Sequence, residues 1–156
     1  MKELLIYTDG SGNNKTREGG FGVYNVTEKK GYKKGYTNTT TARMEIRAVL
    51  FVLKSLPNEE SKVTIKLDNE YVVKSIQERW AYGWEQFNWQ GRTNADLWKQ
   101  MLAEIRRLNK VKITLQWIRG HQKNLEDDDV FYNNLVDVFA NYKQFINKER
   151  EEDVCG

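Results

Sequence analysis

The stretch Leu4-Leu5-Ile6-Tyr7-Thr8-Asp9-Gly10-Ser11-Gly12-Asn13-Asn14 sets the frame for the rest of the chain. Its first half is an apolar, β-favouring run, and its second half is built from Asp, Gly, Ser and Asn, which suit turns. That sequence predicts a buried strand with a carboxylate, Asp9, at its end. The same pattern recurs at Val63-Thr64-Ile65-Lys66-Leu67, which alternates as a strand and stops at Asp68. Between the two, Gly20 to Val26 and Lys33 to Thr37 read as short strands around Lys29-Lys30-Gly31, an antiparallel hairpin following the first strand. From Thr41 to Leu56, Met44, Ala48, Phe51 and Val52 recur at helical spacing, with Thr41 as N-cap and Pro57 as stop. Helical spacing returns over Glu70 to Trp80, from Asn94 to about Asn109 and over Val130 to Phe145, and Val111 to Ile118 reads as a strand. A hairpin meander followed by strand–helix–strand crossovers predicts an α/β fold with a mixed sheet covered by helices. In such sheets the ligand site lies at the carboxyl ends of strands.

A chain of 156 residues fits one domain, which would bury roughly two-thirds of its unfolded surface. No linker or repeat divides it, so we expect a single domain over residues 1–147 and a frayed polar tail over 148–156. A hydrophobic share of 39% with 12% aromatics excludes a disordered chain. The longest uncharged apolar run, Ala48 to Leu53, is far short of the roughly 18 residues of a membrane span, and the N-terminus lacks a signal pattern. A cytoplasmic monomer without a membrane or an obligate protein partner is therefore expected. The one cysteine, Cys155, excludes an internal disulfide. A net charge of +3 permits a polyanionic partner without requiring one.

Asp9, Glu45, Asp68 and Asp137 occupy positions that a solvated charge would not favour. The first and third end apolar strands. Glu45 lies between Met44 and Ile46, and Asp137 between Val136 and Val138, in predicted helices. Carboxylates drawn together repel, and burial disfavours their ionised form, so such a cluster is stable only when cations neutralise it. All-oxygen anionic donors select Mg²⁺ or Mn²⁺. Two such ions about 4 Å apart suit in-line displacement at phosphorus. Spacing alone leaves a scatter of surface acids as the alternative.

Tyr7-Thr8-Asp9-Gly10-Ser11, Ala42-Arg43-Met44-Glu45, Leu67-Asp68-Asn69-Glu70-Tyr71-Val72 and Trp117-Ile118-Arg119-Gly120-His121, followed by Asp137, resemble the cellular type 1 ribonuclease H family over about residues 4–142. The resemblance implies a ribonuclease H-like fold, with a five-stranded mixed sheet of order 3-2-1-4-5 flanked by helices. It implies endonucleolytic hydrolysis of the RNA strand of RNA–DNA hybrids, leaving 5′-phosphate and 3′-hydroxyl ends. By position, Asp9, Glu45, Asp68 and Asp137 match the family's ligands of two Mg²⁺ ions, with Mn²⁺ able to substitute. His121 matches a loop histidine that assists proton transfer or product release. Gly10, Ser11, Gly12, Asn13, Thr40, Thr41, Asn69 and Glu70 match or neighbour the substrate-contacting positions, with ordinary turn or capping service as the alternative for each.

The stretch Trp80-Ala81-Tyr82-Gly83-Trp84-Glu85-Gln86-Phe87-Asn88-Trp89 is too aromatic for one helix face to bury; the resemblance places it at the family's protruding handle and so implies Trp80 and Trp84 as contacts to the DNA strand, with a satellite hydrophobic cluster as the alternative, and Trp98 reads as core. Relatives grip through a basic loop here, whereas from Arg79 to Asp96 the charges are Arg79 and Arg92 against Glu85 and Asp96 and cancel. Aromatic stacking must then supply more of the grip and counterion release less. Ala42 stands where relatives carry an amide side chain, and Glu126-Asp127-Asp128-Asp129 lengthens the loop between His121 and Asp137, where we expect a solvated, mobile segment. The competing readings are a hybrid-binding module without catalysis and a DNA-directed recombination nuclease.

Overall fold

In the computed structural model, residues 1–152 are described; Cys155 lies outside them. The elements in chain order are β1 (Lys2–Asn13), β2 (Glu18–Asn25), β3 (Lys30–Thr37), α1 (Thr41–Ser55), β4 (Ser61–Leu67), α2 (Glu70–Gln77), α3 (Trp80–Gln86), α4 (Ala95–Arg107), β5 (Val111–Trp117), α5 (Asp128–Ala140) and β6 (Glu149–Arg150). The strands form one sheet in the order β5-β4-β1-β2-β3-β6. Strands β1, β2 and β3 run antiparallel to one another, and β4 and β5 join in parallel. The expected 3-2-1-4-5 order is present, extended by the two-residue β6 against β3.

Alternation along β1 assigns its two faces. Leu4 and Ile6 enter the main core with α1, α2 and α4, whereas Leu5 and Tyr7 pack with Ile118, Val136 and Tyr132 beneath α5. Trp98 is buried in the main core, as its helical position predicts.

Several boundaries differ from the sequence reading, each for a tertiary reason. The segment Asp9 to Asn13 continues β1 instead of turning, because β2 pairs with it through Asp9↔Gly22, Ser11↔Gly20 and Asn13↔Glu18. On its other side, β1 loses its partner after Tyr7↔Lys66. Asp9 therefore sits where β1 outlasts β4, at the mouth of the crevice. Thr40, not Thr41, caps α1, accepting from the Arg43 backbone N–H at 3.2 Å. The helix expected over Glu70 to Trp80 breaks at Arg79, whose φ of 63° is left-handed, and the aromatic run forms the separate α3. Helix α5 stops at Ala140 rather than Phe145, because the Gln144 side-chain amide donates to the carbonyls of Val138, Phe139 and Asn141.

The expected frayed tail is instead built in as far as Glu151. Glu151 is 2% exposed, and its backbone N–H donates to the Thr37 carbonyl at 3.0 Å. Its carboxylate accepts from Thr39 Oγ1 at 2.6 Å, from Arg43 Nε at 2.6 Å and from Arg47 Nε. Two arginines on one helix face, each needing an anion, created a demand that sequence periodicity did not expose.

Candidate active site

Asp9, Glu45 and Asp68 bring one carboxylate oxygen each to within 4.8 Å of one another. Asp9 is 4% exposed and Glu45 7%. Two close approaches build this proximity. A Cβ on Gly10 would lie 2.4 Å from the Glu45 backbone nitrogen, so only glycine lets β1 and α1 meet there. Likewise, a Cβ on Gly120 would lie 2.7 Å from Asp68 Oδ2, which presses the loop carrying His121 against the cluster. Asp137, exposed on α5, stands outside this close group, near enough to Asp9 to help raise its carboxyl. The structure thus brings three of the four predicted carboxylates together, with Asp137 outside the close group.

Burial pushes the Asp9 carboxyl well above the usual carboxylate range, reinforced by the neighbouring carboxyls of Glu45, Asp68 and Asp137. Glu45 is raised in the same way, by burial and then by Asp68, although Asp9 and the Gly10 backbone N–H stabilise its ionised form. Protons and cations compete for such a site. Glu45 Oε2 is buried without a hydrogen-bond partner, an acceptor with its lone pairs unanswered. An anionic, all-oxygen donor set with an orphaned buried oxygen fits a hard divalent cation.

The remaining predicted residues separate into two groups. His121 is exposed at the rim with φ 55°, one residue from the contact between Gly120 and Asp68. Ser11 Oγ donates to the Ala140 carbonyl at 2.5 Å, and Thr41 Oγ1 to the Gly12 carbonyl at 3.2 Å. Asn13 Oδ1 accepts from the Lys15 N–H at 2.9 Å, and Asn69 caps α2 through Val72. Glu70 pairs with Lys74. These side chains therefore have structural duties in addition to any contact with substrate. Trp80 remains 39% exposed, while Trp84 is buried against Trp98 with centroids 5.6 Å apart. Both arginines of this aromatic segment lie over rings, Arg79 at 4.1 Å from Tyr82 and Arg92 at 4.6 Å from Trp84.

Sequence reasoning missed Asn133. It is 3% exposed, and its Nδ2 donates to Asp68 Oδ2 at 3.2 Å, holding that carboxylate toward the cluster. An amide one turn before Asp137, on the inward face of an apolar helix, was the available signal. The acidic loop is exposed as expected through Asp128, but two of its carboxylates are engaged. Asp127 caps α5, accepting from the N–H groups of Asp129 and Val130, and Asp129 pairs with Lys66 at 2.9 Å.

A parallel-cored α/β sheet whose crevice holds converging carboxylates defines an enzyme class that works with acids and hard cations at a strand-end cleft. Residues 1–144 match the RNase H family. The chain is 36% identical over 136 residues to a ribonuclease HI of Pasteurella multocida, covering 82% of this chain and 84% of that one. It is 35% identical to a ribonuclease H of Aliivibrio salmonicida, covering 82% and 83%, and 35% identical to one of Campylobacter jejuni, covering 82% and 86%. The chain belongs to the ribonuclease H family and is a nuclease of the hydrolase class. That family acts on RNA–DNA hybrids. Among the described residues, no helix is long and apolar enough to cross a membrane.

Proposed function

We propose that the protein hydrolyses the RNA strand of RNA–DNA hybrids by two-metal-ion, in-line phosphodiester cleavage, leaving 5′-phosphate and 3′-hydroxyl ends. Asp9, Glu45, Asp68 and Asp137 hold two Mg²⁺ ions, for which Mn²⁺ substitutes. When bound, the ions activate water and stabilise the leaving oxygen. Asp9 on β1 and Asp68, which follows β4, would hold the ions from the sheet and Glu45 from α1. Asn133 orients Asp68 through its amide. His121, the only imidazole in the chain, takes up or delivers a proton at the rim. Gly10, Ser11, Gly12, Asn13, Thr40, Thr41, Asn69 and Glu70 line the approach to the cluster, where groove-side hydrogen bonds distinguish 2′-hydroxyls from deoxyribose. Trp80 offers a stacking surface to the DNA strand, whereas Trp84, expected to share that role, is buried against Trp98 and serves the core. The enzyme works as a cytoplasmic monomer built on one domain that runs through Glu151 rather than stopping at residue 147.

The observation that carries this reading is the convergence of three carboxylates within 4.8 Å around an orphaned Glu45 oxygen. The test is cleavage of one sequence offered as hybrid, duplex DNA, duplex RNA and single-stranded RNA, each with Mg²⁺ and with EDTA. Cleavage of only the hybrid's RNA strand, lost with EDTA and in Asp9→Asn and Asp68→Asn, is expected. Robust cutting with EDTA present refutes it. Tight hybrid binding without turnover in Mg²⁺ or Mn²⁺ means a binding module instead.

A further inference from the structure

Helix α5 carries Asp137, yet much of its packing against the sheet is apolar or smooth. Val136 is fully buried, and a Cβ on Gly22 beneath the helix would lie 2.5 Å from the Phe139 Cβ. Apolar contact is non-directional, so it holds a helix against a sheet better than it fixes the helix along its axis. Hydrogen bonds and ion pairs constrain that direction.

Those polar contacts bracket Asp137. Toward the helix C-terminus, Ser11 Oγ donates to the Ala140 carbonyl. At the first turn, the Asp129 carboxylate accepts from the Tyr7 hydroxyl and from Lys66 Nζ at 2.9 Å. Lys66 Nζ also lies 5.9 Å from the Tyr7 ring centroid, and Tyr7 packs on Tyr132 of α5 at 5.2 Å. Tyr7 and Lys66 are register partners on β1 and β4, each two residues before a carboxylate of the cluster, Asp9 and Asp68 respectively. Asp129, Asn133 and Asp137 recur every four residues, so the helix face that meets Tyr7 and Lys66, then Asp68, is the one that carries Asp137.

We propose that Tyr7, Lys66 and Asp129 are positioning residues, a polar clasp that sets the axial register of α5 on β1 and thereby holds Asp137 beside Asp9. The proposal rests on Asp137 serving in the ion-holding set. Asp129 lies eight residues before Asp137, about 12 Å along the helix axis, so the clasp touches neither substrate nor ion. Its influence runs through the rigid body of the helix. Two members of the acidic loop thus act on α5 in succession, Asp127 starting the helix and Asp129 locating it.

The test compares wild type with Tyr7→Phe, Asp129→Ala, Lys66→Gln, the conservative Lys66→Arg, and Asp137→Asn. Three quantities are read: kcat and KM on a hybrid, Mg²⁺ affinity of the substrate-free protein by calorimetry, and the melting temperature. Assays run well below the lowest melting temperature, so loss of activity does not reflect unfolding. Tyr7→Phe, Asp129→Ala and Lys66→Gln should lower kcat about tenfold while KM stays within about twofold, and should weaken Mg²⁺ binding, because small misplacements of reacting groups cost rate more than substrate binding. Lys66→Arg should recover most of the loss. An inactive Asp137→Asn beside Tyr7→Phe and Asp129→Ala that match wild type in kcat and Mg²⁺ affinity overturns the clasp alone. Wild-type activity in Asp137→Asn overturns the reading of Asp137, and the clasp with it.

Discussion

Asp9 and Glu45 are buried acids placed next to further acids, and burial and like charge both drive their carboxyls above the usual range. Such groups bind protons more readily folded than unfolded, so their contribution to stability is complete below about pH 4 and is lost as pH rises toward their folded values. In EDTA, the melting temperature should carry a falling component between about pH 5 and pH 8, and added Mg²⁺ should raise it more at the upper end of that window than at the lower. Asp9→Asn should abolish cleavage while stabilising the metal-free protein by roughly 1 kcal/mol, as relief of strained functional sites commonly does. A thermal melt showing Asp9→Asn less stable than wild type in EDTA would contradict the electrostatic account. Asp9 and Asp68 were legible in the sequence because each follows an apolar strand. Asn133 was legible only as an amide on the inward face of an apolar helix; that it meets Asp68 was settled by the docking of α5.

At the scale of elements, α1 is held by more than its apolar face. Arg43 makes a paired contact with Asp96 of α4, with distances of 3.0 and 2.8 Å, and both Arg43 and Arg47 reach Glu151 beyond β6. The chain end therefore ties the helix bearing Glu45 to β3 and α4. Removing one member of a buried ion-pair network leaves charge uncompensated, so Glu151→Gln should destabilise by about 3 kcal/mol in denaturant titrations near neutral pH. Burial opposes ionisation of Glu151, but Arg43, Thr39 and Arg47 hold its carboxyl below the usual range, as Arg43 does for Asp96. That stabilisation is present above the unfolded value near about 4.3 and is lost as pH falls further. The difference between wild type and Glu151→Gln should thus be constant from about pH 7 to about 5.5 and shrink below about pH 4. A gap that persisted at about pH 3 would assign the effect to packing.

For the whole molecule, a net charge of +3 and an aromatic segment whose arginines lie over Tyr82 and Trp84 leave little free positive field for a polyanion. Hybrid affinity should fall only shallowly with salt. Trp80→Ala should weaken binding by roughly 1–3 kcal/mol with the salt slope unchanged, because stacking and counterion release are separate contributions. Filter binding across a salt series decides this, and a slope that drops with Trp80→Ala counts against it. The element types and the acidic residues were readable from the linear chain, because hydrophobic period and strand-then-carboxylate patterns are local properties, and the family motifs carried the order of the first five strands. The extension of β1 past Asp9, the break at Arg79, the burial of Glu151 and the docking of Asp129 onto Tyr7 and Lys66 were not readable. Each depends on which backbone or side chain arrives from far along the chain to satisfy a hydrogen bond or a charge, and that is settled when the sheet and its helices assemble.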